Sequence, residues 1–221
     1  MIIVGICGGS GSGSGKSTFA ERIRDGLSCS CEIMRLDCYY FDQGGKPFEE
    51  RTKVNYDSPE IFDFDEMLAD IRLLLDGKPV TRKGYNYAEH RRDDSEELMY
   101  PPEVLIIEGI HVFYDDRICD IMNLKLFIKV DSDICLLRRI ARDMNERGRS
   151  LESISEQYKA TVKPMREKYI DKYIDKADVV VMRGGMNEQA LKTTISYLKS
   201  CVKEQRPAES EKTESNGNDS E

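Results

Sequence analysis

Ile2-Ile-Val-Gly-Ile-Cys7 is followed directly by Gly8-Gly-Ser-Gly-Ser-Gly-Ser-Gly-Lys-Ser-Thr18. The short apolar run predicts a buried strand, and the pattern from about Ser17 to Leu27 predicts a helix. Between them, glycines allow backbone N–H groups to point inward around phosphate oxygens, and the helix N-terminus adds its partial positive charge. This order predicts a phosphate-binding loop, because a flexible Gly/Ser linker does not normally join a buried strand to an amphipathic helix.

The loop departs in one respect from the pattern G-x-x-x-x-G-K-[ST]. That pattern places a glycine five residues before Gly15, but the position holds Ser10, so the loop is two residues too long. With Gly15-Lys16-Ser17 fixing the register, Lys16 is expected to reach the β- and γ-phosphates of a nucleotide and Ser17 to offer its hydroxyl to Mg²⁺. The residues predicted to bind the nucleotide in this loop are Gly11, Gly13, Ser14, Gly15, Lys16, Ser17 and Thr18.

Further short Val/Ile/Leu runs alternate with helical patterns along the chain. Continuous apolar runs of this length indicate strands buried on both faces, which is typical of a parallel sheet covered by helices. We therefore predict a three-layer α/β fold of the P-loop NTPase type, with a mainly parallel five-stranded sheet and a small antiparallel β excursion near residues 80–100. The predicted strands are 2–7, 32–37, 104–107, 124–130 and 177–181, and the longer predicted helices are 17–27, 63–75, 131–147 and 187–203.

Composition excludes several classes of protein. The 221-residue chain has a net charge of −8, so it lacks the basic character that nucleic-acid binding by bulk electrostatics requires. No apolar run approaches the roughly 20 residues of a membrane span, and the seven cysteines include no CxxC pair, which argues against a zinc site or a disulfide framework. These features favour a cytoplasmic protein with a small-molecule partner. Residues 1–202 are predicted to form one domain, and residues 203–221 an acidic, disordered tail.

Two carboxylates follow predicted strands at the edge of the sheet where ligands of such folds bind. Asp37 ends the second predicted strand, and Glu108 follows the third. A carboxylate at this edge can accept a proton from a substrate or help to bind a metal ion. Position alone leaves Asp37 equally open to a role as a turn cap.

Further segments stand in a specific order and spacing, namely Asp37-Cys-Tyr-Tyr40, Asn55-Tyr-Asp57 with Pro59, Tyr85-Asn-Tyr-Ala-Glu-His90, Ile107-Glu-Gly-Ile110, Arg138-Arg139 with Arg142-Asp143, Asn145-Glu-Arg-Gly-Arg149, Gln157-Tyr158, Lys163-Pro164, and Ala177-Asp178 with Arg183-Gly-Gly185. Together these segments resemble the uridine kinase family from about residue 2 to residue 200. The resemblance implies transfer of the γ-phosphate of ATP to the 5′-hydroxyl of uridine or cytidine, with Mg²⁺, in pyrimidine salvage. It also implies a helical, arginine-bearing lid and a homo-oligomer, namely a tetramer.

The resemblance also implies a role for each candidate residue. The catalytic residues are Asp37 as the base, Lys16 and Arg142. Ser17 and Glu108 are the metal residues, and Arg139 and Arg147 join the phosphate side of the lid. The residues expected to contact the nucleoside are Asp57 at the ribose hydroxyls, Tyr85 and His90 at the base, and Arg149 and Gln157. Outside the resemblance, we interpret His111 as structural and Arg138 as part of a solvated helix face.

Two other functions remain open from the sequence. A kinase of the same fold could act on another small alcohol, as a phosphoribulokinase does, although a pocket containing Tyr85 and His90 disfavours that substrate. A nucleotide-binding regulatory protein with weak turnover is the second alternative, and the long glycine loop is its main support. The presence of Asp37, Glu108 and Arg142 argues against it.

Overall fold

The computed structural model describes residues 1–9 and 13–206, apart from the side chain of Asp94. Of the residues predicted to bind phosphate, Gly11 lies outside these ranges, as do residues 207–221 of the predicted tail. A five-stranded sheet in the order β2-β5-β1-β6-β7 forms the centre, and every neighbouring pair in it is parallel. Its strands are β1 (Ile2–Cys7), β2 (Cys31–Arg35), β5 (Val104–Glu108), β6 (Leu124–Lys129) and β7 (Val179–Met182).

Helices cover both faces of this sheet. Side chains alternate between the two faces along each strand, so each face has an apolar core of its own. From β1, Ile2, Val4 and Ile6 pack against apolar side chains of α1 and α8, whereas Ile3 and Cys7 belong to a second core that includes α3. The helices are α1 (Lys16–Gly26), α2 (Phe48–Arg51), α3 (Phe64–Leu75), α4 (Asp116–Cys119), α5 (Ser132–Arg147), α6 (Leu151–Gln157), α7 (Lys163–Lys168) and α8 (Glu188–Gln205). Among the described residues, no helix is long and apolar enough to cross a membrane.

The predicted antiparallel excursion is a hairpin of β3 (Val80–Asn86) and β4 (Arg91–Met99). Its register shifts between Lys83 and Tyr85, and its turn ends at His90, which has a positive φ of 51°. The fold class predicted from the sequence is confirmed, since all five predicted sheet strands and all four longer helices are present with boundaries within two residues.

The structure corrects one boundary that matters for the site. The second strand ends at Arg35, and Asp37 lies in a 3₁₀ turn, Leu36–Tyr39, that follows it. Leu36 and Tyr39 are both buried, and a 3₁₀ turn brings side chains three residues apart onto one side. Packing of these two side chains therefore replaces the last two residues of the predicted strand with a turn.

The end of the domain is also later than predicted. Helix α8 continues to Gln205 instead of stopping at Lys203, and Arg206 forms an ion pair with Glu103 at 2.8 Å. Residues 203–206 therefore belong to the folded part of the chain. The sequence pattern also missed the helical turns between residues 151 and 176, because their buried apolar side chains are too few to produce a helical period, namely Ile154, Val162, Ile170 and Tyr173.

Gly8 marks the point where the chain leaves the sheet toward the glycine loop. Its φ is 125°, and a Cβ atom at this position would lie 2.2 Å from the carbonyl oxygen of Ile128 in β6. We expect Gly8→Ala to lower the free energy of unfolding by roughly 1–3 kcal/mol, because both the backbone conformation and the close contact oppose a side chain.

Chemical denaturation of Gly8→Ala beside Gly45→Ala tests this expectation. Gly45 has an ordinary φ and open space around its Cβ position, so its substitution should change stability by less than about 0.5 kcal/mol. Equal stability of the two variants would contradict the steric argument.

Candidate active site

The glycine loop reaches α1 through positions that require glycine. Gly13 and Gly15 have φ values of 109° and 83°, and Gly15 forms the N-cap of α1. A Cβ atom on Gly13 would lie 2.6 Å from the carbonyl oxygen of Cys135 in α5. Lys16 is only 5% exposed at the first position of the helix, so its side chain is buried where the loop enters α1. Within the described part of the chain, no side chain caps this helix N-terminus, and the first N–H groups of a helix are a favourable site for an anion.

Two neighbouring segments fix this loop in place. The hydroxyl of Ser14 donates to the carbonyl of Gly8, and the backbone N–H of Gly185 donates to the carbonyl of Ser14. Arg138 is exposed, in agreement with its interpretation as part of a solvated helix face, and it also donates to the carbonyl of Gly13 at 2.8 Å. The sequence predicted no role for the segment Arg183-Gly-Gly185. A Cβ atom on Gly185 would lie 2.1 Å from the carbonyl oxygen of Gly15, so only glycine fits this contact with the loop.

Ser17 and Glu108 come together where α1 begins and β5 ends. The Ser17 hydroxyl donates to Oε1 of Glu108 at 2.9 Å, and Arg35 lies 3.6 Å from the same oxygen. Burial raises the pKa of Glu108, and the positive charge of Lys16 opposes that shift. Hydroxyl and carboxylate oxygens are ligands that Mg²⁺ accepts together with water and phosphate oxygens, so this pair fits the predicted metal role. Thr18 follows Ser17 in the first turn of α1 and is exposed.

The Mg²⁺ role therefore depends on one carboxylate and one hydroxyl. Among the described residues, no group of three or more histidine, cysteine, aspartate or glutamate side chains could hold a metal ion without further ligands. Mg²⁺ usually retains several waters and takes one or two carboxylates plus phosphate oxygens, which agrees with so small a set of protein ligands.

Asp37 is partly exposed in its 3₁₀ turn, and its carboxylate faces the hairpin. The Tyr87 hydroxyl donates to Oδ2 of Asp37 at 2.6 Å. Tyr87 is a residue that sequence reasoning missed. Its place within the segment Tyr85-Asn-Tyr-Ala-Glu-His90, between two residues predicted to contact the nucleoside, is the signal that could have found it.

Asp57 lies at the other end of the site and is 6% exposed. Burial raises the pKa of its carboxyl group, while Arg139 and the hydroxyl of Thr161 favour the charged form. Thr161 is 3.2 Å from Oδ2 of Asp57 and belongs to a short π-helix, Tyr158–Val162, which the sequence did not predict. His111 is fully buried, and its two ring nitrogens lie within 2.9 Å of the carbonyl of Asp57 and the hydroxyl of Tyr173, in agreement with a structural role.

Aromatic side chains line the region between Asp57 and the hairpin. The rings of Tyr56 and His90 stack with centroids 5.1 Å apart, and the Tyr85 ring lies 4.7 Å from that of Tyr40. Burial lowers the pKa of His90, and the positive charge of Arg149 lowers it further. The imidazole is therefore neutral at physiological pH and can both donate and accept a hydrogen bond.

Four arginines of the lid share one buried carboxylate, that of Asp143, which is 0% exposed. Arg142 donates to it, and the other three lie 3.5–3.6 Å away, namely Arg139, Arg147 and Arg149. Four positive charges around one negative charge leave an excess that suits an anionic ligand. Burial lowers the pKa values of two of these guanidinium groups, those of Arg139 and Arg147.

The structure divides these arginines differently from the prediction in one case. Arg139 donates to the amide oxygen of Gln157 at 3.0 Å and interacts electrostatically with Asp57, so it lies on the side predicted for the nucleoside rather than with the phosphate-side residues. Arg149 donates to the same oxygen of Gln157 at 2.6 Å, which brings these two predicted nucleoside residues together. Asp143 pairs with both Arg139 and Arg149, and the sequence predicted no role for it.

Comparison with known proteins identifies the family. The family described as "Phosphoribulokinase / Uridine kinase family" matches residues 3–190. A uridine kinase of Ligilactobacillus salivarius is 41% identical over 203 residues, covering 91% of this chain and 94% of its own length. A uridine kinase of Streptococcus pyogenes serotype M5 is 42% identical over 204 residues, covering 92% and 97%.

A solved structure supports the fold assignment. The phosphoribulokinase from Rhodobacter spheroides superposes with a TM-score of 0.62 at 14% identity, covering 82% of this chain and 69% of that one. At this identity the likeness concerns the fold alone. The family match and the two bacterial relatives extend over nearly the whole chain, which therefore belongs to the phosphoribulokinase/uridine kinase family.

Proposed function

We propose that the protein is a uridine kinase that transfers the γ-phosphate of ATP to the 5′-hydroxyl of uridine and cytidine, giving UMP and CMP. The observation that carries this proposal is the place of Asp37 between the two ends of the site. Burial is the main cause of the raised pKa values of Glu108 and Asp57, and the charge of Asp37 adds to the shift at both. One carboxylate thus lies within electrostatic reach of the phosphate loop and of the proposed ribose site.

At the phosphate end, the backbone N–H groups of the glycine loop and the ammonium group of Lys16 bind and orient the phosphates of the nucleotide. Ser17 and Glu108 would supply oxygen ligands for Mg²⁺. When bound, ATP would supply the γ-phosphoryl group and Mg²⁺ would neutralise part of its charge.

Asp37 is the proposed base. Its carboxylate accepts the proton of the 5′-hydroxyl as that oxygen bonds to phosphorus and the bond to the ADP oxygen breaks. Arg142 and Arg147 stabilise the negative charge that spreads over the transferring oxygens, because guanidinium groups form strong charge-assisted hydrogen bonds to phosphate.

At the nucleoside end, the carboxylate of Asp57 accepts hydrogen bonds from the ribose hydroxyls. Tyr85 packs against the pyrimidine, and neutral His90 bonds its polar edge. Arg149 and Gln157, held together by their hydrogen bond, close the pocket from the lid. Arg139 joins this side of the site because it contacts Gln157.

The proposal includes a cytoplasmic location and a homo-oligomer, namely a tetramer. All seven cysteines are free thiols, which supports a reducing compartment. The tetramer is supported by the family resemblance alone, and light scattering of the purified protein measures it directly.

ADP release tests the function as a whole. The purified protein is assayed with uridine, cytidine, ribulose 5-phosphate and no acceptor. We expect ADP release that depends on uridine or cytidine and is absent with the sugar phosphate. Turnover with ribulose 5-phosphate would favour the phosphoribulokinase alternative, and nucleotide binding without acceptor-dependent turnover would favour a regulatory protein.

Asp37→Asn should lower kcat about 10²–10⁴-fold, the usual contribution of a general base, while the Kd for ATP changes by less than about twofold. Steady-state ADP release and calorimetric ATP titration measure the two quantities. Asp120→Asn is the matched control, because it makes the same change at an exposed position. A kcat close to that of the parent would remove Asp37 from the catalytic step.

Asp57 should make the enzyme prefer ribonucleosides. A 2′-deoxynucleoside leaves a buried carboxylate partly unpaired, which costs about 1–3 kcal/mol, so kcat/KM for uridine should exceed that for deoxyuridine at least about tenfold. Asp57→Asn should reduce this ratio. Equal kcat/KM values for the two nucleosides in the parent would contradict the ribose assignment.

Asp143→Asn should raise the KM values for ATP and uridine together, because both phosphate-side and nucleoside-side arginines share this carboxylate. The free energy of unfolding should fall by about 1–3 kcal/mol, less than for a fully buried pair since three of the arginines are partly exposed. Glu146→Gln, an exposed neighbour on the same helix, serves as the control. An increase in only one of the two KM values would show that the cluster does not act as a unit.

A further inference from the structure

Tyr87 touches three parts of the site that the proposed function treats separately. Its hydroxyl donates to the proposed base Asp37, the guanidinium of Arg147 lies over its ring at 4.8 Å, and its ring meets that of Tyr85 edge-on at 5.2 Å. The residue lies at the start of the hairpin turn and is 43% exposed.

The contact with Asp37 matters because a carboxylate has two oxygens and can rotate. Within residues 1–9 and 13–206, the hydroxyl of Tyr87 is the one hydrogen-bond donor to the Asp37 side chain. This bond occupies Oδ2, and none of the described residues donates a hydrogen bond to Oδ1, which is the oxygen proposed to face the acceptor hydroxyl. Burial and the negative charge of Asp37 raise the pKa of Tyr87, so the phenol keeps its proton and remains a donor.

The contact with Arg147 connects the same residue to the lid. A guanidinium over the face of an aromatic ring is attracted by the electron density of that face. Arg147 also pairs with Asp143 at 3.6 Å, so its position is set from two directions. The hairpin therefore holds one end of the arginine cluster as well as the base.

We propose that Tyr87 is a positioning residue for phosphoryl transfer: its hydroxyl fixes the orientation of the Asp37 carboxylate, and its ring holds Arg147 toward the phosphates. This proposal rests on the proposed uridine kinase function. Tyr87 itself neither accepts the phosphoryl group nor takes the proton, and it acts through the two residues that it contacts.

Two substitutions separate the hydroxyl from the ring. Tyr87→Phe removes the hydrogen bond and keeps the ring under Arg147, and we expect kcat to fall about tenfold while KM for uridine and for ATP stays within about twofold. Tyr87→Leu removes both contacts, and we expect the same loss of kcat together with an increase of several-fold in KM for ATP. The partial exposure of Tyr87 means that neither change opens a cavity in the core.

Tyr100→Phe is the matched control, because it removes the same oxygen from a residue that is 65% exposed and outside the site. All four proteins are compared by steady-state ADP release over uridine and ATP concentrations, with thermal unfolding measured in parallel. The control should match the parent in every parameter.

The outcomes are distinct. A parent-like kcat for Tyr87→Phe would overturn the role of the hydroxyl, and so would an effect on KM for uridine alone, which would make Tyr87 a pocket residue. An unchanged KM for ATP in Tyr87→Leu would overturn the role of the ring. Failure of the parent to release ADP with either nucleoside would instead contradict the proposed function itself.

Discussion

Close approach of backbone to backbone around the glycine loop is the constraint on which the rest of the site depends. Gly8 lies against the backbone of Ile128 in β6, Gly13 against that of Cys135 in α5, and Gly15 against that of Gly185. A side chain at any of these positions would push the loop away from its neighbours. Because these three contacts fix where the loop enters α1, they also fix the position of Lys16 and Ser17 at the start of that helix. Ser17 can then donate its hydrogen bond to Glu108 at the end of β5.

Charge is the second constraint, since the site buries groups that prefer water. Glu108 and Asp57 both have raised pKa values from burial, and each is partly compensated by a cation, Lys16 or Arg139. The lid reverses this balance, with four arginines around Asp143. An excess of positive charge in the lid suits an anionic phosphate donor, and the carboxylates at the sheet edge suit the hydroxyl groups of a neutral nucleoside.

Much of the fold could be predicted from local pattern, and less of the site. Strands β1 and β5 are short, mainly apolar runs that are buried along their whole length, so composition over a few residues identified them. The role of Asp143 could not be found this way. An aspartate beside an arginine on a helix looks like an ordinary exposed pair, and only the packing of α5 against α6 and the return of Arg149 make it the shared counter-ion.

The sequence by itself determined the strand–loop–helix unit, the parallel sheet and the family, because these follow from residue types at fixed spacing along the chain. Tertiary structure alone decided which distant residues meet in the site. Tyr87 meets Asp37 at a sequence separation of 50 residues, Thr161 meets Asp57 at 104, and Arg138 meets Gly13 at 125. Such contacts depend on how the hairpin, the π-helix and the lid pack against the sheet edge. That packing is a property of several elements together, and no local pattern records it.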